Sequence, residues 1–366
     1  MKAVILVGGF GTRLRPLTLE TKKELMPVAG RPFLEHTLAR LARHGVDEAI
    51  LTTGYLAEAF EDFPSERKHG VELRLVREDE PLDTGGAIRN AAQGLDETFL
   101  VLNGDILTDL DLGAMVEFHR SSGGVGTIAL TPVDDPSAYG LVPTDDDRRI
   151  TRFIEKPRAD EIVTNMINAG TYVLEPDAFD AAPASRVFSI ERKLFPALVE
   201  RGTIFGFADH GYWLDIGTPA KYLEANHDVL QRRVGETPPG IRTEDGVWVG
   251  GEEDIDATAV LRGPSVVGED CRVAPGAVID AFSALGDRCV VEAGASVDGS
   301  VVQDGVRIGS EARVERCVLA AGAEVGARTR LADCVVGPGV CVGADNEIHG
   351  HRLWPGIAIP DATIRA

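Results

Sequence analysis

Ala3-Val-Ile-Leu-Val7 passes directly into Gly8-Gly-Phe-Gly-Thr-Arg-Leu-Arg-Pro-Leu-Thr18, and Lys22-Lys-Glu-Leu-Met-Pro-Val-Ala-Gly-Arg-Pro32 follows close behind. A short apolar run bounded by glycine reads as a buried strand. Glycines just after a strand let backbone N–H groups approach an anion with no side chain in the way. Arg13 adds a planar cation able to grip two phosphate oxygens at once. The stretch therefore reads as a polyphosphate-binding loop at the carboxyl end of the first strand of an α/β sheet. It contains neither GxxxxGK[ST] nor Gly-x-Gly-x-x-Gly, so it is neither of the two familiar phosphate fingerprints. A glycine turn after a strand can also be purely structural, and the later segments have to decide between the two.

Outward from this loop, residues 1 to about 230 alternate strand and helix patterns. Apolar runs recur at residues 48–53, 72–76 and 98–102. Between the first two strands, Leu34, Leu38 and Leu41 fall on one helical face, and Gly45 ends that helix. A helix start after Thr84-Gly-Gly and a helix over 112–119 follow the same logic. Such alternation predicts a mostly parallel, doubly wound sheet with ligands at the carboxyl ends of its strands. Residues 222–233 read as a closing helix. A linker over 235–246, containing Pro238-Pro239, then separates a first domain (1–234) from a second (247–366).

In the second domain the periodicity changes. Aliphatic residues recur every six positions: Val249, Ile255, Leu261, Val267, Val273, Ile279, Leu285, Val291 and Val297. The register then slips by one per coil, through Val302, Ile308, Val314, Leu319, Val325, Leu331, Val336, Val342 and Ile348. Three inward aliphatics per coil describe a triangular prism with one short strand on each face. Each coil can bury its apolar residues only against its neighbours, so the coils must stack. This resembles the hexapeptide-repeat, left-handed parallel β-helix. Cys271 with Cys289, and Cys317 with Cys334, stand one coil apart and are expected to stack.

Bulk properties narrow the function. The chain has 366 residues and a formal net charge of −21. An acidic surface repels nucleic-acid phosphates and anionic lipid, so an anionic ligand needs a local cationic pocket. No run of about 18 apolar residues is present to span a membrane, and the first apolar run is too short for a secretory signal. A cytoplasmic protein is expected, with no nucleic-acid or membrane partner. The five cysteines, all late in the chain, form no CxxC pair and have no histidine at zinc spacing. They read as small buried hydrophobes.

Several segments carry chemistry. Val101-Leu-Asn-Gly-Asp105 is a strand ending in a carboxylate at the edge where ligands bind, which suits Mg²⁺ carried in with a nucleotide. Trp213-Leu-Asp-Ile-Gly217 offers a second carboxylate, Asp215, in an apolar setting. Phe153-Ile-Glu-Lys-Pro157 sets Glu155, an acceptor for sugar hydroxyls, beside Lys156, a cation for a phosphate. Asn168-Ala-Gly170 precedes another strand pattern. Asp83-Thr-Gly-Gly86 precedes a helix whose N-terminus, with Gly85 beside it, could face the ligand.

These segments, in this order and followed by the β-helix, resemble the sugar-1-phosphate nucleotidyltransferases, and the resemblance covers the whole chain. GGxGTRLRPLT, NGD, EKP, NAG and WxDxG carry it. INAGTYVLEP, SIERKLFPAL, YWLDIGTPAKYL and the tail Leu353-Trp-Pro-Gly-Ile-Ala-Ile-Pro360 make the chain most similar to the guanylyltransferases that act on mannose-1-phosphate. The resemblance implies a doubly wound, Rossmann-like nucleotidyltransferase domain followed by the β-helix. It also implies in-line attack of a sugar-1-phosphate oxygen on the α-phosphate of an NTP, with pyrophosphate leaving. It assigns Leu6, Gly8, Gly9, Gly11, Thr12 and Asn103 to the nucleotide and Arg13 and Lys23 to neutralising phosphates. Asp105 and Asp215 are assigned to Mg²⁺, and Gly140, Glu155, Lys156 and Asn168 to the sugar phosphate. Lys22-Lys23-Glu24 differs from the Pro-Lys-Pro usual in guanylyltransferases and is closer to thymidylyl- and uridylyltransferases.

Guanine presents two adjacent donors, N1–H and N2–H₂, which one carboxylate can accept together. Glu78 or Glu80 could be that carboxylate, and a solvated acidic run is the competing reading. GTP and mannose-1-phosphate are the favoured substrates. Thymidylyl, uridylyl or adenylyl transfer, and another sugar or cyclitol phosphate, stay open. A bifunctional enzyme with an acyltransferase β-helix using His349 or His351, and a non-catalytic regulatory subunit, are further alternatives. The flat faces and open end of the β-helix predict a homo-oligomer, most simply a dimer.

Overall fold

A computed structural model describes residues 1–54, 57–60, 63, 69–251 and 254–364. Its chain forms two compact units: Met1–Phe10 with Leu34–Leu214, and Gly11–Phe33 with Asp215–Ala366.

The first unit is built on a sheet of strands β1 (Lys2–Leu6), β2 (Glu48–Thr53), β3 (Glu72–Arg77), β4 (Phe99–Asn103), β5 (Gly126–Pro132), β6 (Met166–Leu174) and β7 (Ile204–Ala208). Their order across the sheet is β7-β5-β6-β4-β1-β2-β3. The run β4-β1-β2-β3 is parallel, as the alternation predicts. Strand β6 is antiparallel to both β4 and β5, so the sheet is mixed. Val4, Ile50, Val101, Ile128, Tyr172 and Ile204 meet in one core. Helix α1 (Phe33–Arg43) buries Leu34, Leu38 and Leu41, the predicted stripe, and Gly45 follows it at φ 73. Helix α2 (Asp83–Ala91) begins before its glycines rather than after them. Helix α3 (Leu112–Ser122) is capped at the start by Asp111, whose side chain accepts from Ala114 N at 2.9 Å, and at the end by Gly123 at φ 66. Those caps match the preference for a side-chain acceptor at the start and left-handed glycine at the end. A π-helical turn (Ile190–Leu194) leads into α4 (Phe195–Glu200).

The second unit gathers the segment 11–33, helix α5 (Pro219–Leu230) and the β-helix. The coils form three parallel ladders, which start at Val247–Val249, Asp254–Ile255 and Val260–Leu261 and repeat once per coil. Every aliphatic expected to point inward, from Val249 to Ile348, lies in or against one core. The register slip is present: Val266 pairs with Ala284, and Ala284 with Val301, so an 18-residue coil is followed by a 17-residue one. Stacking also aligns charges at the corners. Arg316 holds Asp333 at 2.8 and 2.9 Å, and Arg328 holds Asp345 at 2.7 and 2.7 Å. These pairs are exposed and individually contribute little; the buried aliphatic column carries the stability. The backbone N–H of Cys334 donates to Cys317 Sγ at 3.3 Å, as the expected cysteine ladder requires. Cys341 departs from the buried reading: it is exposed, because strand alternation turns it outward where Val342 turns in.

The segment 11–33 is pinned within this unit. Ala29 N donates to Asn226 Oδ1 at 2.7 Å, and Tyr222 Oη donates to Pro27 O, both partners lying on the buried face of α5. The His227 ring of the same helix bonds Gly299 O at 3.1 Å.

Candidate active site

Within the first unit, the ends of β1 and β4 lie side by side, with Leu6 opposite Asn103 and Gly104 N donating to Leu6 O at 3.0 Å. The two glycines after β1 thus emerge beside Asn103-Gly104-Asp105, as expected for ligand binding at strand carboxyl ends. Glu78 is the neighbour on the other side. Its Oε1 lies 3.6 Å from where a Cβ on Gly8 would sit, and its Oε2 accepts from Leu82 N at 2.9 Å. One oxygen therefore closes the turn into α2, and the other faces the glycine loop. Glu80 is exposed. A cleft of about 690 Å³ is lined by Phe10, Gly54, Arg77, Glu78, Asp79 and Pro81.

The predicted sugar-phosphate residues come together on a short hairpin. Gly140 pairs directly with Glu155, and Leu141 pairs with Ile167, which brings Asn168 alongside. A Cβ on Gly140 would lie 2.9 Å from the Phe153 ring and 3.1 Å from Glu155 Oε2, so glycine makes room for the carboxylate. Burial, and then the charge of Glu191, push the Glu155 carboxyl above the ordinary range, against the pull of Lys156 and Arg192. Lys156 is exposed, at φ 51, with its N–H on Tyr139 O.

Asn168 is inside β6, where a bulge separates it from Tyr172, rather than ahead of a strand. Its Oδ1 accepts from Gly170 N at 3.0 Å and its Nδ2 donates to Tyr172 Oη at 3.0 Å. The side chain thus shapes the bulge, leaving one amide hydrogen and one lone pair for a ligand. Gly170, at φ 75, lets this bulge pass Asn103, whose Nδ2 would be 2.7 Å from an added Cβ. Trp213 Nε1 donates to Ala169 O at 2.9 Å, and Tyr139 meets the Trp213 ring edge-on at 5.5 Å.

Gly85 requires a correction. Its N–H donates to Phe188 O at 2.9 Å, Gly86 N does the same at 3.1 Å, and a Cβ on Gly85 would stand 2.3 Å from the Phe188 ring. The helix N-terminus satisfies these donors with protein, so Gly85 serves close packing and offers no N–H to a ligand. Sequence reasoning also passed over Glu191, whose Oε2 accepts from Thr84 Oγ1 at 2.7 Å and Ser189 Oγ at 2.6 Å. The SIER string carries no separate mark for it; the π-helical turn that the string opens, a distortion common at functional sites, is visible only in the fold.

Within the second unit, Gly11 (φ 59) opens a 3₁₀ turn over Thr12–Leu14. Thr18 Oγ1 donates to Gly11 O at 2.8 Å, and a Cβ on Gly11 would meet Thr18 at 3.1 Å. Thr12 and Arg13 are exposed. Arg13 Nη2 lies 3.8 Å from Asp215 Oδ2; the arginine side chain is 66% exposed and the aspartate 12%. Asp215 thus holds one end of a cation otherwise open to an anion. A Cβ on Gly217 would sit 2.5 Å from Arg13 Nη2, so glycine is the residue that admits this guanidinium. Lys23 begins a second 3₁₀ turn, with Nζ 3.9 Å from the carboxylate of the fully buried Glu24. Among the described residues no group of three or more His, Cys, Asp or Glu could hold a metal ion. A cation on Asp105 or Asp215 would have to complete its shell with phosphate oxygens and water. His349 and His351 are exposed on the last coil; His349 is 3.4 Å from Glu347, and His351 donates to His349 O.

The chain is similar to proteins already known. Residues 2–232 match the nucleotidyl transferase family, and residues 249–364 match the GMPPB C-terminal domain. Mannose-1-phosphate guanylyltransferase of Mycobacterium tuberculosis is 44% identical, covering 99% of this chain and 97% of its own. Mannose-1-phosphate guanylyltransferase catalytic subunit beta of Drosophila pseudoobscura pseudoobscura is 40% identical, over 74% of this chain and 72% of its own. The crystal structure of HddC from Yersinia pseudotuberculosis complexed with GMP-PN superposes at a TM-score of 0.54 and 32% identity. It covers 62% of this chain and 97% of that one.

Proposed function

Since this chain belongs to the nucleotidyl transferase family and is an enzyme of nucleotidyl transfer, we propose that it joins GTP to mannose-1-phosphate, forming GDP-mannose and releasing pyrophosphate. The observation that carries the choice of substrates is the 44% identity, over nearly the whole of both chains, to a relative named for that reaction. The half-buried Glu78 beside Gly8 supports guanine, because a carboxylate accepts the paired donors of that base. Lys22-Lys23-Glu24 favours a second reading, uridylyl or thymidylyl transfer; a uridylyltransferase of Synechocystis is 34% identical over 76% of this chain.

The attacking group is a phosphate oxygen that needs no activation by a protein nucleophile. The work of the chain is alignment and neutralisation of charge. In this proposal the backbone at Leu6, Gly8, Gly9, Gly11 and Thr12, with Asn103, holds the nucleotide, while Arg13 and Lys23 draw negative charge off the triphosphate. Lys156 pairs the sugar phosphate, Glu155 and Asn168 read sugar hydroxyls, and Gly140 lets the sugar approach the backbone. Enzymes of this family typically use a divalent metal. Mg²⁺ is commonly held by one or two carboxylates, with phosphate oxygens and water completing its shell, and Asp105 and Asp215 are the residues proposed to hold it. Bound there, Mg²⁺ would neutralise developing phosphate charge. A homodimer, domain limits at 234 and 247, and a cytoplasmic location complete the proposal.

A pyrophosphate-release assay over GTP, UTP, dTTP and ATP against several sugar-1-phosphates tests it. The highest kcat/KM is expected for GTP with mannose-1-phosphate, lost with EDTA and restored by Mg²⁺. A higher value for UTP or dTTP would overturn the assignment. Glu78→Gln should narrow the preference for GTP over UTP, and an unchanged preference would remove Glu78 from base reading. Light scattering at micromolar concentration checks the dimer.

A further inference from the structure

The last coil of the β-helix reaches the phosphate loop. Arg352 opens the final strand on the first prism face (Arg352–Leu353). Its backbone is fixed on both sides: Val335 N donates to His351 O at 2.9 Å, and Gly337 N to Leu353 O at 2.8 Å. Leu353, next in sequence, is buried in the prism core. From this anchored position the Arg352 side chain turns outward, and its Nη1 donates to Arg15 O at 3.0 Å and Arg13 O at 3.3 Å.

Those carbonyls belong to the turn that carries Arg13. Inside the turn, Gly11 O accepts from Leu14 N and from the Thr18 hydroxyl, and Thr12 O accepts from Arg15 N. The carbonyls of Arg13 and Arg15 are the ones Arg352 takes. Fixing the Arg13 carbonyl fixes the peptide plane that follows its Cα, and so the direction in which the Arg13 side chain leaves the backbone. Asp215 restrains the far end of that side chain. The loop is thus gripped by Thr18, by Asp215 and by Arg352.

We propose that Arg352 is a positioning residue for nucleotide binding: the terminal coil of the β-helix holds the loop 11–18 in its binding conformation before the nucleotide arrives. This rests on the reading of that loop as a triphosphate site. A loop ordered in advance loses less conformational freedom on binding, so the anchor lowers the nucleotide's KM and leaves the chemical step alone. A charged donor shared by two carbonyls at the surface corresponds to about a tenfold effect.

The experiment compares wild type with Arg352→Met, which keeps the stem but has no donor, and Arg352→Lys, which restores an ammonium able to reach a carbonyl. Arg352→Met should raise the KM for the nucleotide about tenfold, with kcat within about twofold and the KM for the sugar phosphate unchanged. Arg352→Lys should recover most of the loss. Matching thermal melts separate positioning from unfolding of the coil. An unchanged nucleotide KM in Arg352→Met overturns the inference, as does a uniform loss across both substrates and kcat. Arg13→Ala is the reference. If it lowers kcat/KM while Arg352→Met does not, only the anchor fails; if Arg13→Ala is itself silent, the loop reading fails.

Discussion

Gly217→Ala isolates the geometry of Arg13. The new Cβ would lie 2.5 Å from Arg13 Nη2, 2.9 Å from Arg13 Cζ and 3.1 Å from Asp215 Oδ1. Ordinary contact begins near 3.4 Å, so the guanidinium must move by roughly 1 Å, which is enough to cost about 100-fold in rate when the group orients a reacting phosphate. That factor equals about 2.7 kcal/mol of barrier. Stability should respond in a different way. Gly217 does not occupy the left-handed region, its N–H bond to Asp215 O at 2.9 Å tolerates a methyl group, and the displaced atoms end a side chain that is 66% exposed. Replacing glycine with alanine at a compatible position is worth about 0.4–1 kcal/mol of added stability, which offsets the local crowding. The expected outcome is a melting temperature within about 3 °C of wild type and a kcat/KM for pyrophosphate release about 100-fold lower. The double mutant with Arg13→Ala completes the test. If the methyl acts only through Arg13, it should add nothing once that side chain is gone. Near-normal turnover in Gly217→Ala, or a full additional loss in the Arg13→Ala background, would refute the reasoning.

Gly170→Ala should instead lose stability. It combines a left-handed φ of 75 with a 2.7 Å approach to Asn103, and a loss of about 2–4 kcal/mol is expected in chemical denaturation. Leu319→Ala, in the fully buried β-helix column, should cost about 2–5 kcal/mol by the same measurement. Glu155→Gln should give a pH-dependent change. A carboxyl raised above its unfolded value binds its proton more tightly when folded, so its contribution is fully present in acid and is lost as pH rises through the folded pKa. The variant should melt higher than wild type at pH 7–8, and the two should converge below the ordinary carboxylate range; parallel melting curves across that span would contradict the shift. Its KM for the sugar phosphate should rise.

The β-helix was readable residue by residue because its information is local. One inward aliphatic every six positions specifies a face, and stacking identical coils adds no long-range choice. The parallel half of the sheet and the stripe on α1 followed for a similar reason, since period and burial go together. The reversed strand β6 was not readable, because an apolar strand carries no mark of its direction. Motifs that recur in a fixed order brought out Gly140, Glu155, Lys156 and Asn168, and the hairpin pairing Gly140 with Glu155 sets them side by side.

What the sequence determined by itself is which groups are available: a glycine loop with Arg13, carboxylates after short apolar strands, a Glu-Lys pair and a column of aliphatics. Tertiary structure decided how each group's bonding capacity is used. The N–H of Gly85 satisfies Phe188 O, the Asn168 amide shapes its own bulge, and Arg352 meets the Arg13 carbonyl across 339 residues of chain. A hydrogen bond depends on distances of a few tenths of an ångström between segments far apart in sequence, and only the folded chain brings those segments together.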